Sequence, residues 1–153
     1  PAPLDLNALM ADMAADHAGE LAAIGAELDI GPLPSVEADA VLIRQVFENL
    51  LSNAVKYRGD APLRVKIEGA EVDGFAEIAF TDNGPGVPAE YAETIFKMLQ
   101  RLTATPDGAG VGLAFCRQII ESHGGRIILD THFSGGARFL IRLPRAGVQE
   151  TPA

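Results

Sequence analysis

Asn49-Leu50-Leu51-Ser52-Asn53-Ala54-Val55-Lys56-Tyr57 closes a helix that the sequence predicts from about Asp39, with Gly59 as its stop. On a helical wheel Ile43, Val46, Phe47, Leu50, Leu51 and Ala54 gather on one side, and Gln45, Asn49, Asn53 and Lys56 form a stripe beside them. The helix therefore has a core face and a polar seam. Two asparagines at i, i+4 followed by a lysine suit a metal-bound polyphosphate: an amide oxygen is a neutral hard ligand for Mg²⁺, and lysine meets phosphate as a point charge. The same spacing also fits an ordinary solvated face. Asparagine is a mediocre helix former, which weighs slightly against that plainer reading.

Upstream, Asp5 is a capping residue for a helix reaching about Leu21, and Glu27 to Ile30 and Ser35 to Ala38 are short extended pieces around Gly31-Pro32-Leu33-Pro34. Downstream, Leu63 to Glu71 and Phe75 to Thr81 alternate in hydrophobicity about Val72-Asp73-Gly74, the pattern of a hairpin. Residues 85–110, rich in Gly, Pro and Thr, read as a mobile loop with one short helix near Ala89 to Phe96. A third helix is expected over Gly112 to Ser122, then strands Arg126 to Thr131 and Ala137 to Leu143 about Ser134-Gly135-Gly136. Strands and helices mix without strict alternation. The fold class is therefore α+β, a two-layer α/β sandwich with a mixed sheet of about five strands covered on one face by three helices.

Two further segments carry chemistry. Phe80-Thr81-Asp82-Asn83-Gly84-Pro85-Gly86 puts a carboxylate at the end of an apolar strand, where it could accept a hydrogen bond from an amino group such as that of adenine. Gly84 and Gly86 permit close backbone approach. A strand-ending Asx turn fits the same residues. Gly108-Ala109-Gly110-Val111-Gly112-Leu113 opens a helix, so its free N–H groups can meet a phosphate at the positive end of the helix dipole. A dinucleotide fingerprint needs a strand before these glycines, and Thr103-Ala104-Thr105-Pro106-Asp107 is not one. No P-loop sequence occurs.

The 153 residues suit one domain, and 48% hydrophobic with 22% charged residues is the composition of a folded protein. Residues 1–43 hold eight acidic and no basic side chains, which accounts for most of the net charge of −9. A chain of that sign is a poor general binder of nucleic acid. No apolar run approaches the roughly 20 residues of a membrane helix, so no membrane contact is expected of this stretch. The start on Pro1 and the polar end from Gln149 suggest a piece of a longer protein. Cys116 is the one cysteine, which excludes an internal disulfide and fits a cytoplasmic setting.

Taken in order, the segments over Asp39 to Pro144 resemble the Bergerat-fold ATPases, which join histidine kinases with gyrase-type, Hsp90-type and mismatch-repair ATPases. Asn49 to Tyr57 looks like the N box, Asp82 to Gly86 the G1 box, Ile95 to Leu102 the F box and Gly108 to Leu113 the G2 box. The resemblance implies ATP and Mg²⁺ as cofactors. Asn53 would coordinate Mg²⁺, Lys56 and Arg101 would touch the phosphates, Tyr57 would pack against the nucleotide, and Asp82 would bind the adenine amino group. Gly84, Gly86, Phe96, Gly108, Gly110, Gly112 and Leu113 would complete the nucleotide site. Residues 87–110 would be the ATP lid and 145–153 a tail.

Hydrolysing members of the family place a glutamate base four residues before the metal-binding asparagine, where this chain has Asn49. An amide takes no proton from water, so transfer to a positioned acceptor is favoured over hydrolysis. Glu48 lies next to it in sequence but about 100° round the helix. The F box and Glu121-Ser122-His123-Gly124-Gly125-Arg126-Ile127 look like histidine kinases, the phytochrome-like ones among them. Leu99 and Arg58-Gly59 depart from the usual pattern. His17, His123 and His132 all lack the phosphoacceptor setting: His17 reads as a solvated helix residue, His123 as a charge favourable to a helix end, and Cys116 as a buried small hydrophobe. The resemblance thus implies a histidine kinase catalytic domain whose partners are a separate dimerisation domain bearing the phosphoacceptor histidine and, indirectly, a response regulator. A degenerate scaffold domain and an anti-sigma-type serine kinase share the same boxes.

Overall fold

The computed structural model of the protein describes residues 2–96 and 109–146, with the side chains of 109–111 excepted. Its strands are β1 (Ala2–Asp5), β2 (Glu27–Ile30), β3 (Ser35–Ala38), β4 (Arg64–Val72), β5 (Phe75–Asp82), β6 (Arg126–Leu129) and β7 (Arg138–Pro144). Its helices are α1 (Leu6–Ala23), α2 (Ala40–Lys56) and α3 (Ala109–Ser122). Five strands form one sheet in the order β2-β4-β5-β7-β6. The β2/β4 pair is parallel and the other three pairs are antiparallel, so the sheet is mixed as expected.

The cap predicted for the first helix is in place, and the second helix is capped at its predicted start. Asp5 accepts from the Asn7 N–H, and Asp39 accepts from the Val41 and Leu42 N–H groups. Each satisfies donors that a helix start leaves without partners. The β4/β5 hairpin closes on Asp73 and Gly74, both at positive φ (52° and 82°), the pairing that a two-residue turn matched to strand twist requires. Alternation then sends Val65 and Ile67, Ala76, Ile78 and Phe80, and Phe139, Ile141 and Leu143 to one sheet face. The buried side of α2 (Ile43, Val46, Phe47, Leu50, Leu51, Ala54) joins them in one core, with Leu6, Met10 and Met13 of α1. Each large side chain so buried contributes about 1.5–3 kcal/mol.

Three features differ from expectation. Ala2–Asp5 forms a strand that the sequence did not announce, in a two-stranded ribbon with β3 outside the main sheet. The short helix expected near Ala89 to Phe96 is represented by a 3₁₀ turn at Ala89–Tyr91. Helix α3 starts at Ala109 and not at Gly112, so Gly110 and Gly112 lie inside it and the last two residues of the expected lid are helical. Residues 97–108, which hold half of that lid, Arg101 and Gly108 among them, lie outside the described residues, as does the tail from 147.

Candidate active site

Between α2, the end of β5 and β7 lies a cavity of about 380 Å³. Its size and apolar walls, broken by a few polar groups, are those of a small-molecule pocket. Leu50, Ala54, Val87, Ile95, Leu113, Ala137 and Phe139 supply the apolar wall, and Asn53, Tyr57 and Asp82 supply polar atoms.

Asp82 is fixed from two sides. Its Oδ1 accepts from the Gly84 N–H (2.8 Å) and from the N–H of Ala137, the residue before β7 (3.2 Å). Both described bonds use the same oxygen, so Oδ2 is the edge available for a bound amino group. The turn Gly135-Gly136, read from sequence only as a hairpin turn, is what brings β7 this close. A Cβ on Gly136 would sit 1.9 Å from the Asp82 carbonyl oxygen, and one on Gly86 would sit 2.8 Å from the Gly136 carbonyl. Gly136 and Ala137 are therefore residues of this candidate site that sequence reasoning missed. Asn83 faces elsewhere: it accepts from the Arg64 N–H and donates to the Pro62 carbonyl, tying the loop to the start of β4.

On α2, Asn53 Nδ2 is buried and has no hydrogen-bond partner among the described residues. Leaving a buried donor unmatched costs about 1–3 kcal/mol. The two ends of an amide exchange by a flip of the side chain, so this position can offer an oxygen to a cation or an N–H to an anion. An orphaned amide at the wall of a pocket fits the Mg²⁺ role implied for it. Tyr57, the C-cap of α2, is half exposed at the same cavity.

Asn49 does not line that cavity. It packs between the helices, where a Cβ on Gly112 would fall 2.9 Å from its Oδ1, and this explains why a glycine is tolerated inside α3. Its side chain also hydrogen-bonds Cys116, whose thiol is fully buried and donates to the Val46 carbonyl. Burial pushes that thiol up to about 12, which makes it the inert hydrophobe expected. Asn49 and Lys56 instead border a neighbouring cavity of about 410 Å³ shared with His17, Glu20, Glu48 and Ser52. Phe96 is buried behind the pocket wall, edge-on to Phe139 at 6.1 Å, with the Arg117 guanidinium over its ring. Arg101 and Gly108 lie outside the described residues.

His17 is not the solvated residue that the sequence suggested. Its Nε2 meets Glu48 Oε1 at 2.6 Å and its Nδ1 meets Glu20 Oε1 at 2.9 Å, while Arg44 holds both Glu48 and Asp16. The Glu20 bond raises the His17 pKa, burial opposes it, and Glu48 adds to the rise. Glu48 is thereby committed to α1.

Residues 38–147 match the family described as histidine kinase-, DNA gyrase B- and HSP90-like ATPases. The chain is 38% identical over 122 residues to the phytochrome-like protein Cph1 of Synechocystis, covering 78% of this chain and 16% of that protein. It is 45% identical over 118 residues to the adaptive-response sensory kinase SasA of Synechocystis, covering 73% of this chain and 30% of that one. The catalytic domain of histidine kinase ThkA superposes with a TM-score of 0.81 at 28% identity, covering 94% of this chain and 95% of that domain. The chain thus spans less than a third of these two curated relatives but nearly the whole of a catalytic domain. No helix among the described residues is long and apolar enough to cross a membrane. With the ordered boxes, the five-stranded sheet and the Asn53/Asp82 pocket all in agreement, the chain belongs to the histidine kinase-, DNA gyrase B- and HSP90-like ATPase family, as an ATP-binding catalytic domain of the histidine kinase type.

Proposed function

We propose that this domain binds Mg²⁺-ATP in the Asn53/Asp82 cavity and presents the γ-phosphate to a histidine on a separate dimerisation domain, from which a response regulator would draw it. The observation that carries this reading is the occupation of α2 around the position where hydrolysing relatives keep their base. Asn49 is an amide wedged against Gly112, and the adjacent carboxylate, Glu48, is held by His17 and Arg44. Activating water needs a base within hydrogen-bond reach. Transfer to a positioned imidazole needs positioning and charge neutralisation, and the acceptor brings its own nucleophile.

In this reading the free edge of Asp82 accepts from the adenine amino group, with the Gly84 and Ala137 N–H groups fixing its orientation. Asn53, turned to present Oδ1, holds the Mg²⁺, which when bound neutralises charge on the phosphates. Lys56 and Arg101 meet phosphate oxygens, Tyr57 packs against the nucleotide, and the N–H groups of the first turn of α3 face the polyphosphate. For Arg101 and Gly108 the family resemblance is the only support. The test mixes the chain with the helical domain that bears the acceptor histidine and γ-labelled ATP. Acid-labile label on that domain is the expected result. No label would favour the scaffold reading, and acid-stable label on a hydroxyl would favour a serine kinase; either overturns the proposal.

A further inference from the structure

Helices α2 and α3 run antiparallel, and three contacts fix how far one lies along the other. Nearest the cavity, Gly112 leaves room for Asn49. Further along, the Cys116 thiol donates to the Val46 carbonyl at 3.6 Å. At the far end, His123 Nε2 accepts from the Asp39 N–H at 3.1 Å. Seven residues separate Asp39 from Val46 and seven separate His123 from Cys116; three separate Val46 from Asn49 and four separate Cys116 from Gly112. A single register satisfies all three contacts. A slip of one residue would set Val111 or Leu113 against Asn49 in place of Gly112.

The far-end contact joins the caps of the two helices. His123 ends α3 in a Schellman arrangement, with the Gly124 N–H on Glu121 and the Gly125 N–H on Ile120. Asp39 is the N-cap of α2, its carboxylate serving Val41 and Leu42. The N–H of an N-cap has no intrahelical acceptor of its own, and the imidazole provides one. His123 Nδ1 also bonds the Ile119 carbonyl at 2.8 Å, so Nδ1 carries the proton and Nε2 the lone pair. The ring therefore uses both nitrogens, one within α3 and one toward α2.

We propose that His123 is a positioning residue for the nucleotide site: by joining the end of α3 to the start of α2, it holds α3 in the register that sets Gly112 and the helix's first turn beside Asn49. The inference rests on the nucleotide reading above and adds a division of labour within it. The adenine end is built by Asp82 at the end of β5 with Gly84 and Ala137 in the flanking loops, whereas the phosphate end depends on α3. Loosening the cap-to-cap link should weaken phosphate binding and leave adenosine binding intact.

Two substitutions separate the bonds. His123→Gln keeps an acceptor at the reach of Nε2, and His123→Asn keeps only the donor to Ile119. Calorimetric titration should show His123→Asn losing roughly fivefold in Mg²⁺-ATP affinity, the weight of one hydrogen bond, with adenosine affinity changed less than about twofold and His123→Gln recovering most of the loss. Equal losses for ATP and adenosine, unchanged ATP affinity in His123→Asn, or equal losses in the two variants would each overturn it. Amide exchange on the unaltered chain is a second check that needs no variant: the Asp39 N–H should be protected although it precedes α2, and free exchange there would contradict the link. Failure of the unaltered chain to bind Mg²⁺-ATP would sink the nucleotide reading and this inference with it.

Discussion

Two polar regions sit on α2 and are treated in opposite ways. On the side toward α1, His17, Glu20, Arg44, Glu48 and Asp16 pair with one another at hydrogen-bond distance. On the side toward the cavity, Asn53 is left with a buried amide nitrogen that has no partner among the described residues. Buried polar groups are nearly always satisfied, so a satisfied network and an orphaned amide one helix face apart have different purposes. The first attaches α1 to α2. The second carries a local cost that a ligand can remove, and Asp82, with Oδ1 tied down by two N–H groups, lines the same pocket.

The largest effect should come from breaking the unsatisfied side. Asn53→Ala should lower phosphotransfer about 100-fold or more, as loss of a preorganised polar group at developing charge commonly does. Because the substitution also removes an unmatched donor, its melting temperature should equal or exceed that of the unaltered chain. Asp82→Asn keeps the shape but not the charge and places an N–H₂ where an acceptor is needed. It should weaken ATP binding by about 2 kcal/mol, roughly thirtyfold, measured by calorimetry.

The satisfied side should behave conversely. Glu48→Gln removes the carboxylate shared by His17 and Arg44 and should cost about 1 kcal/mol of stability in denaturant titration, with nucleotide affinity unchanged. The smallest effect concerns pH. The folded-state pKa of His17 is raised above 6.5, so its contribution is fully present below pH 6.5 and is lost as pH rises through that raised value. Melting temperatures followed upward from pH 6 should therefore fall by about 2 °C more in the unaltered chain than in His17→Gln.

What the sequence disclosed divides along the same line of local against distant cause. Helix α2 could be read almost to the residue because Asp39 caps it, its apolar period is unbroken and Tyr57 ends it. The β4/β5 hairpin was equally plain from Asp73-Gly74 and its alternating flanks. Strand β1 was not, since Ala2-Pro3-Leu4-Asp5 has no alternation of its own and is extended by pairing with Ser35–Ala38. The start of α3 was placed three residues late because glycines count as breakers in isolation; only the packing of Asn49 shows why Gly112 belongs inside a helix. His17 looked solvated because its partner Glu48 is 31 residues away, and Gly136 looked like a mere turn because Asp82 is 54 residues before it. In the site, Asn53, Tyr57, Asp82, Gly86 and Leu113 were legible and do meet at one cavity, whereas the Ala137 N–H that orients Asp82 is a backbone group and leaves no trace in side-chain pattern.

The contrast between the two faces of α2 is tested most directly by following the Asn53 side-chain amide and the His17 ring by NMR while Mg²⁺-ATP is added. The account predicts that the Gly84 and Ala137 N–H signals shift with saturation as ATP is added and that the Asn53 amide shifts with saturation only when Mg²⁺ is present, while the His17 ring signals stay in place. No response at Asn53, or a response centred on His17 and Glu48, would contradict it.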